Sequence, residues 1–152
     1  MTSTHALMNP RPKPVVSGDL VSLTYRSRVR LDDPEREILS IIRASRVTNP
    51  RLGITGVLFY SGFHFVQTVE GQRSACNTLF TRISNDHRHR EIQALALIEI
   101  ETRRFPDWAM QLVSRQELRA RLPELKQIDA LDPEEAERVH ASTVARLGMA
   151  RS

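Results

Sequence analysis

A phenol at Tyr25, closing one β-type run, and a primary amide at Gln67, inside another, suit a relay that carries no charge. Each group both donates and accepts, so a pair in contact can pass on a change of hydrogen bonding without becoming ionised. Spacing alone equally allows a strand tyrosine and a solvent-facing glutamine that never meet. Asn49 ends a helical stretch, and its amide would match a carbonyl beside an N–H, as on the edge of a cyclic imide. A helix-ending asparagine before a turn is the ordinary alternative. The run Asp86-His87-Arg88-His89 offers too few ligands for a metal; Arg88 suits an anion or a carbonyl, with a solvated loop as the default. Cys76 reads as a small buried hydrophobe and not a nucleophile. The glycines of Gly53-Ile54-Thr55-Gly56 precede a strand, lack the Lys-Ser/Thr of a phosphate loop, and mark a tight entry to a sheet. No Ser/His/Asp set or acidic pair at a recognisable spacing points to hydrolysis.

The elements that must position these groups follow from the same string. Residues 1–18 hold three prolines and no periodicity, which predicts a flexible N-terminal arm. Leu20 to Tyr25 alternates β-formers and reads as a first strand. Asp33-Pro34 supplies an N-cap and a first-turn proline. Ile38, Ile41, Ile42 and Ser45 follow at helical spacing, so residues 34–48 should form an amphipathic helix that Asn49-Pro50 stops. Ile54 to Tyr60 and His64 to Val69 flank Ser61-Gly62 as a hairpin. Ser74 can cap a second helix that carries Ala75, Leu79 and Ile83 and ends near Asn85-Asp86. Ile92 to Ile100 reads as a strand buried on at least one face. Trp108 to Val113 reads as a last strand with Trp108 and Met110 on one face, either as core or as two large side chains that exchange places. Ser114 to Glu117 and Asp132 to Glu135 are capping-box patterns for helices near 115–121 and 133–147.

The order βαββαββ predicts an α+β fold of ferredoxin-like type, a mixed sheet with two helices on one face. The other face is then bare, and the pair of C-terminal helices is well placed to cover it. Three regions result: the arm at 1–18, a domain at 19–113 and a helical extension at 114–152.

With 152 residues and 17.4 kDa, the chain fits one ordinary domain and some excess. Hydrophobic residues make up 40% and charged residues 26%, enough for a packed core and too apolar for wholesale disorder. No apolar run approaches the roughly 20 residues of a membrane-spanning helix. A single cysteine excludes an internal disulfide and favours a cytoplasmic setting. Basic residues number 22 against 18 acidic, and residues 115–152 hold seven of each, so the surplus lies in the first three-quarters. Net charge alone is weak evidence for nucleic acid.

Taken in order, LVSLTYRSR at 20–28, ASRVTNPRLGITGVLFY at 44–60, FHFVQTVEG at 63–71, ISNDHRH at 83–89 and RRFPDWAMQLV at 103–113 resemble the BLUF domain, the flavin-binding blue-light sensor of bacteria. The whole chain is similar to the short stand-alone members. The resemblance implies a flavin, normally FAD with FMN as the variant, between the two helices. It implies that Tyr25 is the light-driven electron and proton donor and Gln67 the switching amide. Asn49 would hold the C4=O/N3–H edge of the ring, and Arg88 the opposite carbonyl, with Asp86 and His89 beside it. Ile41, Ser45, Phe65 and Ile83 would line the ring, and Trp108 and Met110 would relay the signal near Gln67. Phe63 stands where the family usually has glycine, with Gly62 one residue earlier, and Thr48 where some members have histidine.

The resemblance implies a sensor and not an enzyme. Its output would be a change in binding to a separate protein or in self-association, carried by the C-terminal helices, without a membrane. Three other readings compete: a light-independent flavin-binding module, a nucleic-acid-binding module of the same topology, and an acylphosphatase-like hydrolase. The last needs an arginine-bearing phosphate loop, which GITG is not. A nucleic-acid module would explain the basic surplus but not the set Tyr25, Asn49 and Gln67.

Overall fold

In the computed structural model, residues 19–29, 32–86, 89–125, 128–131 and 134–148 are described. The expected N-terminal arm, Arg88 and the Asp132 cap lie outside them. The first strand, β1 (Leu20–Val29), leads to α1 (Pro34–Leu52), β2 (Thr55–Tyr60), β3 (His64–Gln72), α2 (Arg73–Ser84) and β4 (His89–Glu99). A short β5 (Gln111–Leu112), α3 (Arg115–Arg121), a 3₁₀ turn (Ile128–Leu131) and α4 (Glu134–Leu147) complete the order. The sheet runs β4-β1-β3-β2-β5. All neighbours are antiparallel except β2 and β5, which are parallel. This is the expected ferredoxin-like α+β arrangement with one strand added beside β2.

Local chemistry sets most boundaries. Asp33 Oδ1 accepts from the Arg36 N–H at 3.4 Å, and Pro34 begins α1. Contrary to the expected stop at Asn49-Pro50, α1 continues to Leu52. A proline in the last turn removes only its own N–H bond, and Gly53, at φ 68°, closes the helix in the left-handed region. Asn49 is therefore a buried residue of the helix interior. Ser74 does not cap α2, which begins at Arg73 directly out of β3 with Gln72 as its cap residue. β4 is an edge strand with no fully buried residue, and Leu95 and Leu97 are 37% and 53% exposed. The expected strand at 108–113 is reduced to Gln111–Leu112.

Alternation divides the core in two. Val21, Leu23 and Tyr25 of β1, with Leu58, Phe65 and Val69, pack with Ile38 and Ile42 of α1 and Leu79 of α2. Val57, Phe59 and Val66 point the other way and pack with Phe105, Leu118, Leu122 and Ile128. The C-terminal helices divide between these faces. α3 lies on the far face as expected, whereas Val139 of α4 joins the first cluster and its Ser142 and Arg146 bond Glu35 of α1. Toward β1 the far face carries Ser22, Thr24, Thr68 and Glu70, which offer a second apolar stripe little to bury against.

The Ser114 capping box is complete: its hydroxyl accepts from the Glu117 N–H at 3.2 Å, and Glu117 Oε1 accepts from the Ser114 N–H at 3.0 Å. Ser114→Ala should lower stability by about 1 kcal/mol. Chemical denaturation reads this as a lower midpoint at unchanged slope.

Candidate functional site

Tyr25 and Gln67 are register partners on β1 and β3, so both side chains leave the same face of the sheet. The Tyr25 hydroxyl donates to Gln67 Oε1 at 2.5 Å. The two residues are 1% and 5% exposed. Burial, and then the neighbouring Cys76, pushes the Tyr25 phenol above its ordinary value, so it stays protonated and able to donate. Burial also pushes the Cys76 thiol up to about 11, which removes it as a nucleophile near neutral pH.

On its other side Gln67 offers Nε2 to the Met110 sulfur at 3.7 Å. The segment bearing Met110 is held by three successive carbonyls. Trp108 O accepts from the Gly56 N–H at 2.8 Å, Ala109 O from Asn49 Nδ2 at 2.6 Å, and Met110 O from Arg46 Nε at 3.2 Å. These bonds belong to β2 and α1, so the segment is fastened to the framework that also positions Gln67. Trp108 and Met110 do not share a face. Met110 joins the helix-side core, and Trp108 the far-side cluster. Strand alternation does not apply here, because regular pairing begins only at Gln111.

Between α1 and α2 a cleft of about 180 Å³ opens above Gln67. Ile41, Ser45 and Asn49 of α1 form one wall, with Ile83 and Asp86 opposite. Phe65, Gln67 and His89 complete the part expected from sequence. His89 Nδ1 is 2.7 Å from the Ser27 hydroxyl, which fixes its ring. Leu79 and Arg82 also line the cleft and were missed in the sequence reading. Their signal was the helical spacing 79, 82 and 83 on one side of α2. Apolar walls with buried amides and an arginine at the rim fit a flat ring with polar edges. Two roomier grooves, about 390 and 550 Å³, contain neither Tyr25 nor Gln67. Among the described residues no group of three or more His, Cys, Asp or Glu side chains could hold a metal. Nor is any described helix long and apolar enough to cross a membrane.

The BLUF family model, sensors of blue-light using FAD, matches residues 20–111. The chain belongs to the BLUF family. BLUF domains are flavin-based sensors of blue light, and the cleft and the Tyr25–Gln67 pair lie within the matched residues. The BLUF protein BlrB, solved in its dark state, is 58% identical, with 84% of this chain and 97% of that one covered and a TM-score of 0.63. BlsA in its photo-activated state is 25% identical over 88% and 97% of the two chains, also with a TM-score of 0.63. The blue light- and temperature-regulated antirepressor BluF of Escherichia coli (strain K12) is 32% identical over 61% of this chain and 23% of its own length. The photoactivated adenylate cyclase subunit beta of Euglena longa is 31% identical over 77% of this chain and 14% of its own. The chain thus spans less than a quarter of these curated relatives. BlrP1 of Klebsiella pneumoniae, 28% identical with a TM-score of 0.59, was solved with FMN and cyclic diGMP.

The approach to the BLUF Met110 segment is anchored by Glu70 and Arg103. Arg103 donates to the carbonyls of Gly53 at 2.7 Å and Glu70 at 2.9 Å. The buried Glu70 carboxylate accepts from the backbone N–H of Arg104 at 2.7 Å and of Phe105 at 3.4 Å. Burial raises the Glu70 carboxyl above its ordinary 4.5, although those two N–H groups pull it down. An acid raised in the folded state binds more protons folded than unfolded, so stability falls as pH rises above about 4.5. Glu70→Gln should remove that slope and be no less stable than the parent at pH 7, as thermal melts between pH 4 and 7 would record.

Proposed function

We propose that this protein senses blue light through FAD bound between α1 and α2, and that Tyr25 and Gln67 convert absorption into a hydrogen-bond change. The observation that carries the reading is the chain of contacts from the Tyr25 hydroxyl through Gln67 to the Met110 sulfur. FAD is favoured over FMN by the family's own description. As the resemblance implies, Asn49, Asp86, Arg88 and His89 would hold the polar edges of such a ring, and Ile41, Ser45, Phe65 and Ile83 would line its faces. Bound there, a flavin supplies a ring that absorbs blue light and becomes a strong oxidant when excited. With the excited flavin as electron acceptor, Tyr25 would give up an electron and pass its hydroxyl proton toward Gln67 Oε1, along the hydrogen bond already in place. When both have returned, Gln67 is left rotated or tautomerised.

A rotated amide turns Oε1 toward Met110. A thioether has no hydrogen to donate, so the old contact is lost and the carbonyl must find another donor. The 108–110 segment then shifts, and from Ser114 the same chain enters α3. We read the output as altered binding to a downstream protein or a second copy, with no catalytic step in this chain and no nucleic acid. The setting is the cytoplasm, as the single cysteine suggests.

Absorption spectra of the purified protein in the dark, after blue light and after dark recovery test the reading. Yellow protein whose bands shift slightly to the red and return is the expected result. A yellow protein that only bleaches by reduction, or a colourless one that takes up no flavin, would overturn it.

A further inference from the structure

We propose that Arg121, the last residue of α3, is the positioning residue that holds Trp108 on the far face of the sheet and so ties α3 to the Gln67–Met110 contact. This rests on the photoreceptor reading above.

The Trp108 ring stacks on Phe105, with centroids 6.1 Å apart and planes within 11°. The Arg121 guanidinium lies 4.6 Å from the Trp108 centroid and 5.9 Å from that of Phe105. Both distances are within reach of cation–π attraction, and a planar guanidinium also stacks. Arg104 and Arg121 exchange contacts as well. Arg104 Nη1 donates to Arg121 O at 3.2 Å, and Arg121 Nη1 donates to Arg104 O at 3.4 Å. A carbonyl at a helix C-terminus has no partner within the helix, so the first of these satisfies a group that α3 leaves open. Arg104 also pairs with Glu124 at 3.0 Å. The end of α3 therefore grips residues 104–108 through a ring contact and two arginine–carbonyl bonds.

Met110 lies two residues beyond that grip. The bonds from Gly56, Asn49 and Arg46 make residues 108–110 a short stiff link. Moving Met110 away from Gln67 must therefore strain or release Trp108 from Arg121. Arg121 lies outside the matched residues 20–111, so this grip is built from the C-terminal extension.

Arg121 favours the resting arrangement by a factor of about two to five, the strength of an exposed cation–π contact. Arg121→Ala should slow dark recovery of the flavin spectrum by that factor with flavin still bound, and Arg121→Lys, which keeps charge but loses the flat stack, by less. A double-mutant cycle separates this from general loosening of α3. In a Trp108→Ala background, Arg121→Ala should slow recovery by clearly less than it does in the parent, since only its contacts with Arg104 O and Phe105 are then left to lose. Recovery of Arg121→Ala at the parent rate, or slowing as large without Trp108 as with it, would overturn the proposal. Should the parent show no light-induced shift, the photoreceptor reading fails by itself. Trp108 is the only tryptophan, and its fluorescence still decides the positioning role. Acrylamide quenching in the dark should rise about twofold in Arg121→Ala, since an exposed cation–π contact shifts populations by about that factor. Should that variant fail to fold, Arg121→Lys carries the same two readouts, and unchanged values in it would overturn the assignment.

Discussion

Tyr25→Phe is expected to keep flavin bound and to lose the light-induced red shift entirely. The substitution removes one oxygen and retains the ring, whose edge-to-face contact with Phe80, at 5.4 Å between centroids, supports the core. A phenylalanine has no hydroxyl proton to pass and is far harder to oxidise than a phenol, so both parts of the Tyr25 step vanish together. The fold should survive at some cost. Gln67 Oε1 loses the donor at 2.5 Å and is left buried, which costs about 1–3 kcal/mol. Near-ultraviolet circular dichroism establishes that the variant is folded, and difference spectra before and after blue light read the response. A reversible shift of parental size in the folded Tyr25→Phe variant would remove Tyr25 from the mechanism.

Gly56→Ala should be the most damaging small substitution near the site. A Cβ at this position would stand 2.5 Å from the Thr68 carbonyl oxygen on β3, a backbone atom that cannot move aside cheaply. It would also lie 3.3 Å from both Met110 Cε and Val69 Cγ1. Relief requires β2 to shift against β3, and Gly56 N–H would carry Trp108 O with it. The expected loss is about 2–3 kcal/mol, or about 5–10 °C in Tm for a chain of this size. Since Met110 is displaced in the same movement, the flavin spectrum of any folded fraction should differ in the dark and respond less to light. Parental Tm in Gly56→Ala would refute so close an approach of β2 to β3.

Much of this protein was legible one segment at a time. Asp33-Pro34 and Ser114-Arg115-Gln116-Glu117 are local signals, since a cap is made by residues three apart and needs no distant partner. The order of strands and helices followed from alternation and helical spacing. The candidate cleft residues came from the resemblance to the BLUF domain, and Ile41, Ser45 and Asn49 of α1 do line one cleft. Ile83 lies in the last turn of α2 and Asp86 just past its end.

Other features depended on distant parts of the chain. Pro50 continues α1 because Gly53 closes the helix three residues later and Asn49 finds Ala109, 60 residues away. Whether Tyr25 touched Gln67 was undecidable from spacing, because strand pairing across 42 residues is a matter of register. A period of two puts Trp108 and Met110 on one face. Three carbonyl bonds to β2 and α1 hold that stretch outside the sheet and send the two side chains to opposite cores. The placing of α4 beside α1 follows from a partner, Glu35, and from a far face whose polar half offers little to bury. Sequence by itself determined the elements and the chemical types at the site, because propensity and capping are local. Tertiary structure decided which groups meet, because contacts between distant residues form only when the whole sheet has fixed its register.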